Sequence, residues 1–431
     1  MTLNDGLFGD DKLRGILSAP AQVAAMLRVE AALARVQGAL GIIPEASARS
    51  ISSTAEALSP DPASLTAATA MSGIAAQSVA GALKMACGED AARAHFGATS
   101  QDIQDSGLVL QLREALVVLE GRLGRLDKIF TLKAARYADQ PIPARTRFQI
   151  AAPTTLGAKI AVWRAPLARH LARLSELRPR LLNVSLYGAA GTGAALAPRM
   201  PDVREALAAE LDLGAQAIPW HAARDGMAEL GGWLALVSGT LGKFGADLVL
   251  LGQSGIGEVS AGPGGGSSTM PQKSNPVAAE ALVGIARLNA GAAGTLYQAM
   301  IHAQERDGSA LALEWQTLPE MIIRTGAALR HALELAEALA PCPDRINASF
   351  AGDRGAMLAE AAGFHLARHM PREKALKLVS EALAGIAAND SETLAGALAR
   401  LAPGHDWPSI LAPENNTGDA ETQARLPDGS G

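Results

Sequence analysis

Between residues 108 and 340 apolar residues recur at helical spacing over stretches far longer than the usual helix of about 11–12 residues. The pattern predicts helices over 108–137, 154–182, 225–252, 276–304 and 319–339. Nothing in the chain alternates as a half-buried strand does. Helices this long bury their apolar stripes against one another, so the chain is constrained to an all-α fold built on an elongated long-helix bundle. Composition agrees: 48% of residues are hydrophobic but only 3% aromatic, a core of small aliphatic side chains that suits closely packed helices. Helical patterns at 20–40, 63–86 and 201–211, and shorter ones across 354–400, complete the chain.

Breaks in the pattern predict four regions. A helical N-terminal domain covers 1–105, and the central bundle, expected to carry oligomerisation, covers 106–343. After Pro341-Cys342-Pro343 a smaller helical domain covers 344–410. The last stretch, 411–431, is polar, rich in Pro and Gly and without periodicity, and is expected to be a disordered tail.

A formal net charge of −5 gives no footprint for nucleic acid. The first residues are acidic where a signal peptide carries basic ones. The most apolar run, Trp233 to Leu251, is interrupted by Lys243 and Asp247, which reads as a buried helix rather than a membrane span. These features predict a cytoplasmic protein with no membrane partner. Cys87 and Cys342 lie far apart without metal-ligand spacing, and no metal or cofactor is expected.

The polar breaks carry the chemistry. GPGGGSSTMPQKSNP, Gly262 to Pro276, fails as a phosphate loop, because Lys273 follows Pro271-Gln272 instead of a glycine. A flexible linker explains the glycines alone. It does not explain Ser267, Ser268, Lys273 and Asn275, which are the groups that grip an anion while glycines let a loop close over it. HFGATSQD, His95 to Asp102, places Thr99 and Ser100 ahead of a helix, as caps or as a carboxylate site. RTRFQIAAPTTLG, Arg145 to Gly157, adds Arg147 and Gln149 ahead of another, and QERDGSALALEW, Gln304 to Trp315, adds Arg306. Each has a plain reading as a capped or charged loop.

In this order, GATSQD (97–102), RTRFQ with PTTLG (145–157) and GSSTMPQKSNP (266–276) resemble the three separated regions of the fumarase/aspartase superfamily. The resemblance covers all but the tail. Finer stretches, PWHAARD (219–225), SGTLGKFGADLVLL (238–251) and LEWQTLPE (313–320), resemble its carboxymuconate cycloisomerases. Arg147 stands where adenylosuccinate lyases usually have a histidine, which weighs against that alternative, and Gln304 stands where a histidine is expected.

The resemblance implies intramolecular lactonisation of a tricarboxylate without cofactor or metal; the alternative is adenylosuccinate lyase or another fumarate-releasing lyase. It assigns proton transfer to Ser267 and the grip on a substrate carboxylate to Lys273 and Asn275. Thr99, Ser100, Ser268 and Gln149 would add hydrogen bonds, His95 a second polar contact, and Arg147 and Arg306 cations for the third carboxylate. It also implies a homotetramer whose active sites are shared between subunits.

Overall fold

The computed structural model describes residues 3–266 and 268–426. It is mostly helical, as the periodicity predicts, with five long helices: Ser100–Arg136, Leu156–Leu181, Asp225–Gly252, Val277–Gln298 and Gly308–Ala338. Two compact units divide the chain. The first takes residues 1–122, 170–239 and 284–329; the second takes 123–169, 240–283 and 330–431. Each long helix contributes residues to both.

The first unit packs helices Ala19–Ala39, Glu45–Ala57, Ala75–Ala86 and Met200–Leu211 around Leu27, Leu33, Ile51, Leu83, Ile103 and Leu207. Close helix contact here depends on small residues. A Cβ on Gly38 would lie 2.4 Å from the Cβ of Ala48. The second unit holds a tight aromatic group, Phe130, Trp163 and Phe244, with centroids 5.0–6.3 Å apart. It also holds a separate core around Leu366, Val379, Leu398 and the fully buried Trp407.

Several boundaries differ from the periodic pattern. The expected 63–86 helix is two, Pro62–Ser72 and Ala75–Ala86, because Gly73 turns left-handed (φ 73°). The 276–304 helix stops at Gln298. Asp307 then restarts the chain as a cap, accepting from the N–H and hydroxyl of Ser309. That helix runs on through Pro319, where the sequence suggested its start.

Short strands appear where none was expected. Pro141–Thr146 pairs antiparallel with Gln149–Thr155, and two further pairs are only two or three residues long. Three prolines in the hairpin hid its pattern. The expected disorder of the tail is also corrected over its described part. Pro413–Asn416 and Ala420–Arg425 are short helices, Ala420 and Ala424 are buried, and the Leu426 carbonyl accepts from Arg164. Residues 427–431 lie outside the described residues.

Candidate active site

The 100–136 helix begins eight residues before its apolar pattern does, and its first turns bury polar side chains. Gln101, Asp102, Asp105 and Ser106 are all fully buried. Asp102 organises the region. Its Oδ2 accepts from the backbone N–H of Thr99 at 3.0 Å, the return half of a helix-capping box, and from Gly188 N–H at 2.9 Å. Its Oδ1 accepts from Ser185 Oγ, from Tyr187 N–H, and lies 2.7 Å from His221 Nε2. One carboxylate thus fixes the helix start, the entry to the glycine-rich 187–198 segment and the imidazole of His221.

A second buried group sits one turn on. Arg224 makes paired hydrogen bonds to Asp105 (2.8 and 3.1 Å) and to Glu314, with all three side chains at most 1% exposed. Burial opposes the guanidinium charge, but Asp105 and Glu314 outweigh it and hold Arg224 above the usual arginine range. Two carboxylates share one cation, and burial raises the proton affinity of Asp105 despite Arg224.

On this base stand the residues predicted for substrate. Thr99 and Ser100 lie half-buried at the helix N-terminus, where free N–H groups and the helix dipole favour an anion. Arg306 is adjacent: its Nε donates to Gln101 Oε1 at 2.7 Å and its Nη2 to the Ala189 carbonyl at 3.2 Å. His95, expected as a second polar contact, has its Nδ1 engaged 2.5 Å from the buried Glu30. Its left-handed backbone (φ 63°) and the bond from Gln37 to the Phe96 carbonyl hold this loop in place.

The remaining predicted residues lie in the second unit. Arg147 and Phe148 form a two-residue turn between paired Thr146 and Gln149, both with positive φ (51° and 67°) and both exposed. Such a turn favours Asn-Gly; an Arg-Phe pair there is strained. Gln149 is exposed beside them. Arg145, by contrast, is neutralised by bidentate bonds of 2.7 and 2.6 Å to the fully buried Glu258.

Arg147 and Phe148 line a cavity of about 350 Å³ with Lys159, Trp163, Lys243 and Asp247. Asp247 is already held by Trp163 and Lys243. Burial pushes the Lys159 ammonium below the ordinary lysine range, with Asp247 and Glu258 pulling the other way. The surplus of cations suits a small carboxylate ligand.

The two sides of the 262–276 loop are joined at Gly265 and Asn275. Gly265 and Asn275 exchange two backbone hydrogen bonds of 2.8 Å. Glycine is needed for the close approach: a Cβ on Gly264 would lie 2.0 Å from Ser274 Oγ, and one on Gly265 2.5 Å from Val277 Cγ2. Ser268 and Lys273 are exposed and Asn275 is half-buried. Ser267 lies outside the described residues. The structure therefore groups Thr99, Ser100 and Arg306 in the first unit, and places Arg147, Gln149, Ser268, Lys273 and Asn275 in the second. His221, Arg224, Glu314 and Lys159 were missed as functional candidates. The available signal was charge within apolar helical pattern, as in PWHAARD and LEWQTLPE.

A family model described as a lyase matches residues 8–290. The chain belongs to this lyase family, with the all-helical fumarase/aspartase fold anticipated from its three motifs. It is 42% identical over 88% of its length to a 3-carboxy-cis,cis-muconate cycloisomerase of Pseudomonas aeruginosa, of which it covers 84%. Its fold matches the crystal structure of a 3-carboxy-cis,cis-muconate lactonizing enzyme from Pseudomonas putida. That match has a TM-score of 0.93 and 36% identity, covering 98% of this chain and 97% of the other. An N-acetyl-S-(2-succino)cysteine lyase of Enterococcus italicus is more distant, at 33% identity over 87% of this chain and 83% of its own.

Proposed function

We propose that this chain is a 3-carboxy-cis,cis-muconate cycloisomerase, converting 3-carboxymuconate to γ-carboxymuconolactone in protocatechuate breakdown by the β-ketoadipate route. The observation that carries the reading is the 42% identity, across 88% of the chain, to a relative named for this reaction. One substrate carboxylate oxygen forms a C–O bond to a carbon of the conjugated system, and the electron pair passes to a second carboxylate. A proton then reaches the neighbouring carbon. The trianionic substrate takes up one proton, replaced from solvent, in becoming the dianionic lactone, and no other co-reactant is consumed.

The doubly charged aci-carboxylate formed on the way needs cations and preorganised donors. Lys273 and Asn275 are assigned its carboxylate, Thr99, Ser100, Ser268 and Gln149 further hydrogen bonds, and Arg147 and Arg306 the third carboxylate. Ser267 is assigned the proton transfer: its hydroxyl gives the proton to the carbon, and Lys273 favours the alkoxide left behind. Exposed apolar side chains on the long helices, among them Val162, Leu236, Leu250, Leu288 and Tyr297, support a homotetramer with shared sites. The reading carries a cytoplasmic location with it.

The test follows ultraviolet loss of 3-carboxymuconate with the purified chain, beside Ser267→Ala and Lys273→Met. Rapid loss with lactone formed, abolished in both variants, is expected. No loss from an assembled protein that releases fumarate from a succinyl adduct would assign it instead to the fumarate-releasing lyases.

A further inference from the structure

Three histidines converge in the second unit, none of them in a sequence segment assigned to the reaction. His365 lies in the last turn of helix Ala359–Ala367. His369 follows one turn later, where its N–H donates to the Leu366 carbonyl at 2.9 Å. His405 comes from the loop ahead of Trp407–Ile410, where Gly404 takes a left-handed conformation (φ 94°). The indole of Trp407 anchors both sides. It is wholly buried, donates to the Ala402 carbonyl at 2.9 Å, and meets the rings of His365 and His405 at 5.5 and 5.3 Å.

His365 Nε2 and His405 Nδ1 are 3.0 Å apart, and one ring nitrogen from each of the three histidines lies within 4.8 Å of the others. Tetrahedral coordination at a metal–nitrogen distance of about 2.0–2.1 Å requires nitrogens about 3.3–3.4 Å apart. His369 is exposed and free to swing the remaining distance. A plain hydrogen bond between two imidazoles accounts for the His365–His405 contact. It does not account for the third ring packed against both, at 5.2 and 5.3 Å.

We propose that His365, His369 and His405 bind one divalent transition-metal ion of the zinc type. Three imidazoles without a carboxylate select Zn²⁺, Ni²⁺ or Cu²⁺ over Mg²⁺ or Ca²⁺. The ion joins the end of one helix to a loop 40 residues further on. It acts as a staple for the C-terminal helices and takes no part in the reaction. Because it binds the folded arrangement, it stabilises that arrangement by mass action.

The experiment uses the full chain, prepared without a polyhistidine tag, stripped with chelator and dialysed against micromolar Zn²⁺. One zinc per chain is expected, with affinity at least ~10-fold weaker in His369→Ala and in His405→Gln. A thermal midpoint that rises with zinc in the wild type alone completes the expected result. His365→Ala is avoided because it also removes packing against Trp407. Cobalt(II) on the wild-type chain needs no variant: strong visible ligand-field bands are expected from low-coordinate imidazole ligation. Absence of stoichiometric zinc, an aqua-like cobalt spectrum, or a zinc count unchanged in both variants overturns the proposal.

Discussion

His221 places its Nε2 2.7 Å from Oδ1 of Asp102, a carboxylate with no solvent exposure that also accepts from Thr99, Ser185, Tyr187 and Gly188. Such saturation suits a fixed strut better than a base, since a proton acceptor with five donors has little left to offer. Asp102→Asn replaces an acceptor with a donor facing donors. A loss of roughly 2–3 kcal/mol in stability is expected from urea unfolding. Activity should fall with it, because the Thr99 and Ser100 hydroxyls lose their support.

The Arg224 group predicts a different pattern. Arg224→Met leaves Asp105 and Glu314 facing each other in the core, and about 3–5 kcal/mol of destabilisation is expected. Adding Asp105→Asn and Glu314→Gln to the same chain should recover part of that loss, because the charges left unpaired are then removed. Equilibrium unfolding of the single and triple variants measures this. A triple variant less stable than the single one would show that hydrogen-bond geometry, and not charge, dominates.

How far the sequence disclosed these features follows from where each signal resides. The long helices were legible because their apolar stripes face a core. The first turns of the 100–136 helix were not, since Gln101, Asp102, Asp105 and Ser106 are polar yet buried, so a pattern based on hydrophobicity ends at 108. The 141–155 hairpin was hidden by its prolines, and the ordered 413–425 helices by their polarity. Among the candidate site residues, the motif order pointed to Thr99, Arg147, Lys273 and Asn275. His221 and Arg224 depend on contacts about 120 residues away along the chain, to Asp102 and Asp105, which local pattern cannot express.

The Arg147-Phe148 turn stores strain at its tip. Replacing the pair with Asn-Gly matches the left-handed φ of both positions and should stabilise the protein by about 1 kcal/mol. If Arg147 holds a substrate carboxylate, KM should rise in the same variant. Thermal melting and steady-state kinetics together separate the outcomes. Greater stability with unchanged KM would remove Arg147 from the site.

Adjacent glycines in the 262–276 loop give an internal control. Gly264→Ala drives a Cβ into Ser274 Oγ and the Asn275 carbonyl, at 2.0 and 2.8 Å, whereas a Cβ on Gly266 meets nothing within 4 Å. Gly264→Ala should therefore displace Asn275 and lower kcat strongly while leaving the melting temperature almost unchanged, because the loop is exposed. Gly266→Ala should keep the Gly265–Asn275 pairing. Equal loss of activity in both would mean that the loop works through flexibility and not through the paired Gly265–Asn275 geometry.

His302 provides a pH test of the buried charge group. Neither ring nitrogen has a hydrogen-bond partner among the described residues. Burial, followed by the positive charge of Arg224, lowers its proton affinity below that of an ordinary histidine, with Glu314, Asp307 and Asp105 opposing. Because the unfolded chain binds the proton more readily, stability contributed by neutral His302 is present above the ordinary histidine pKa of about 6.5 and is lost as pH falls towards the folded value. His302→Gln cannot titrate. The wild type should therefore lose more stability than the variant between pH 7.5 and 5.5, measured as the shift in urea midpoint. Parallel shifts in the two proteins would place the titrating group elsewhere.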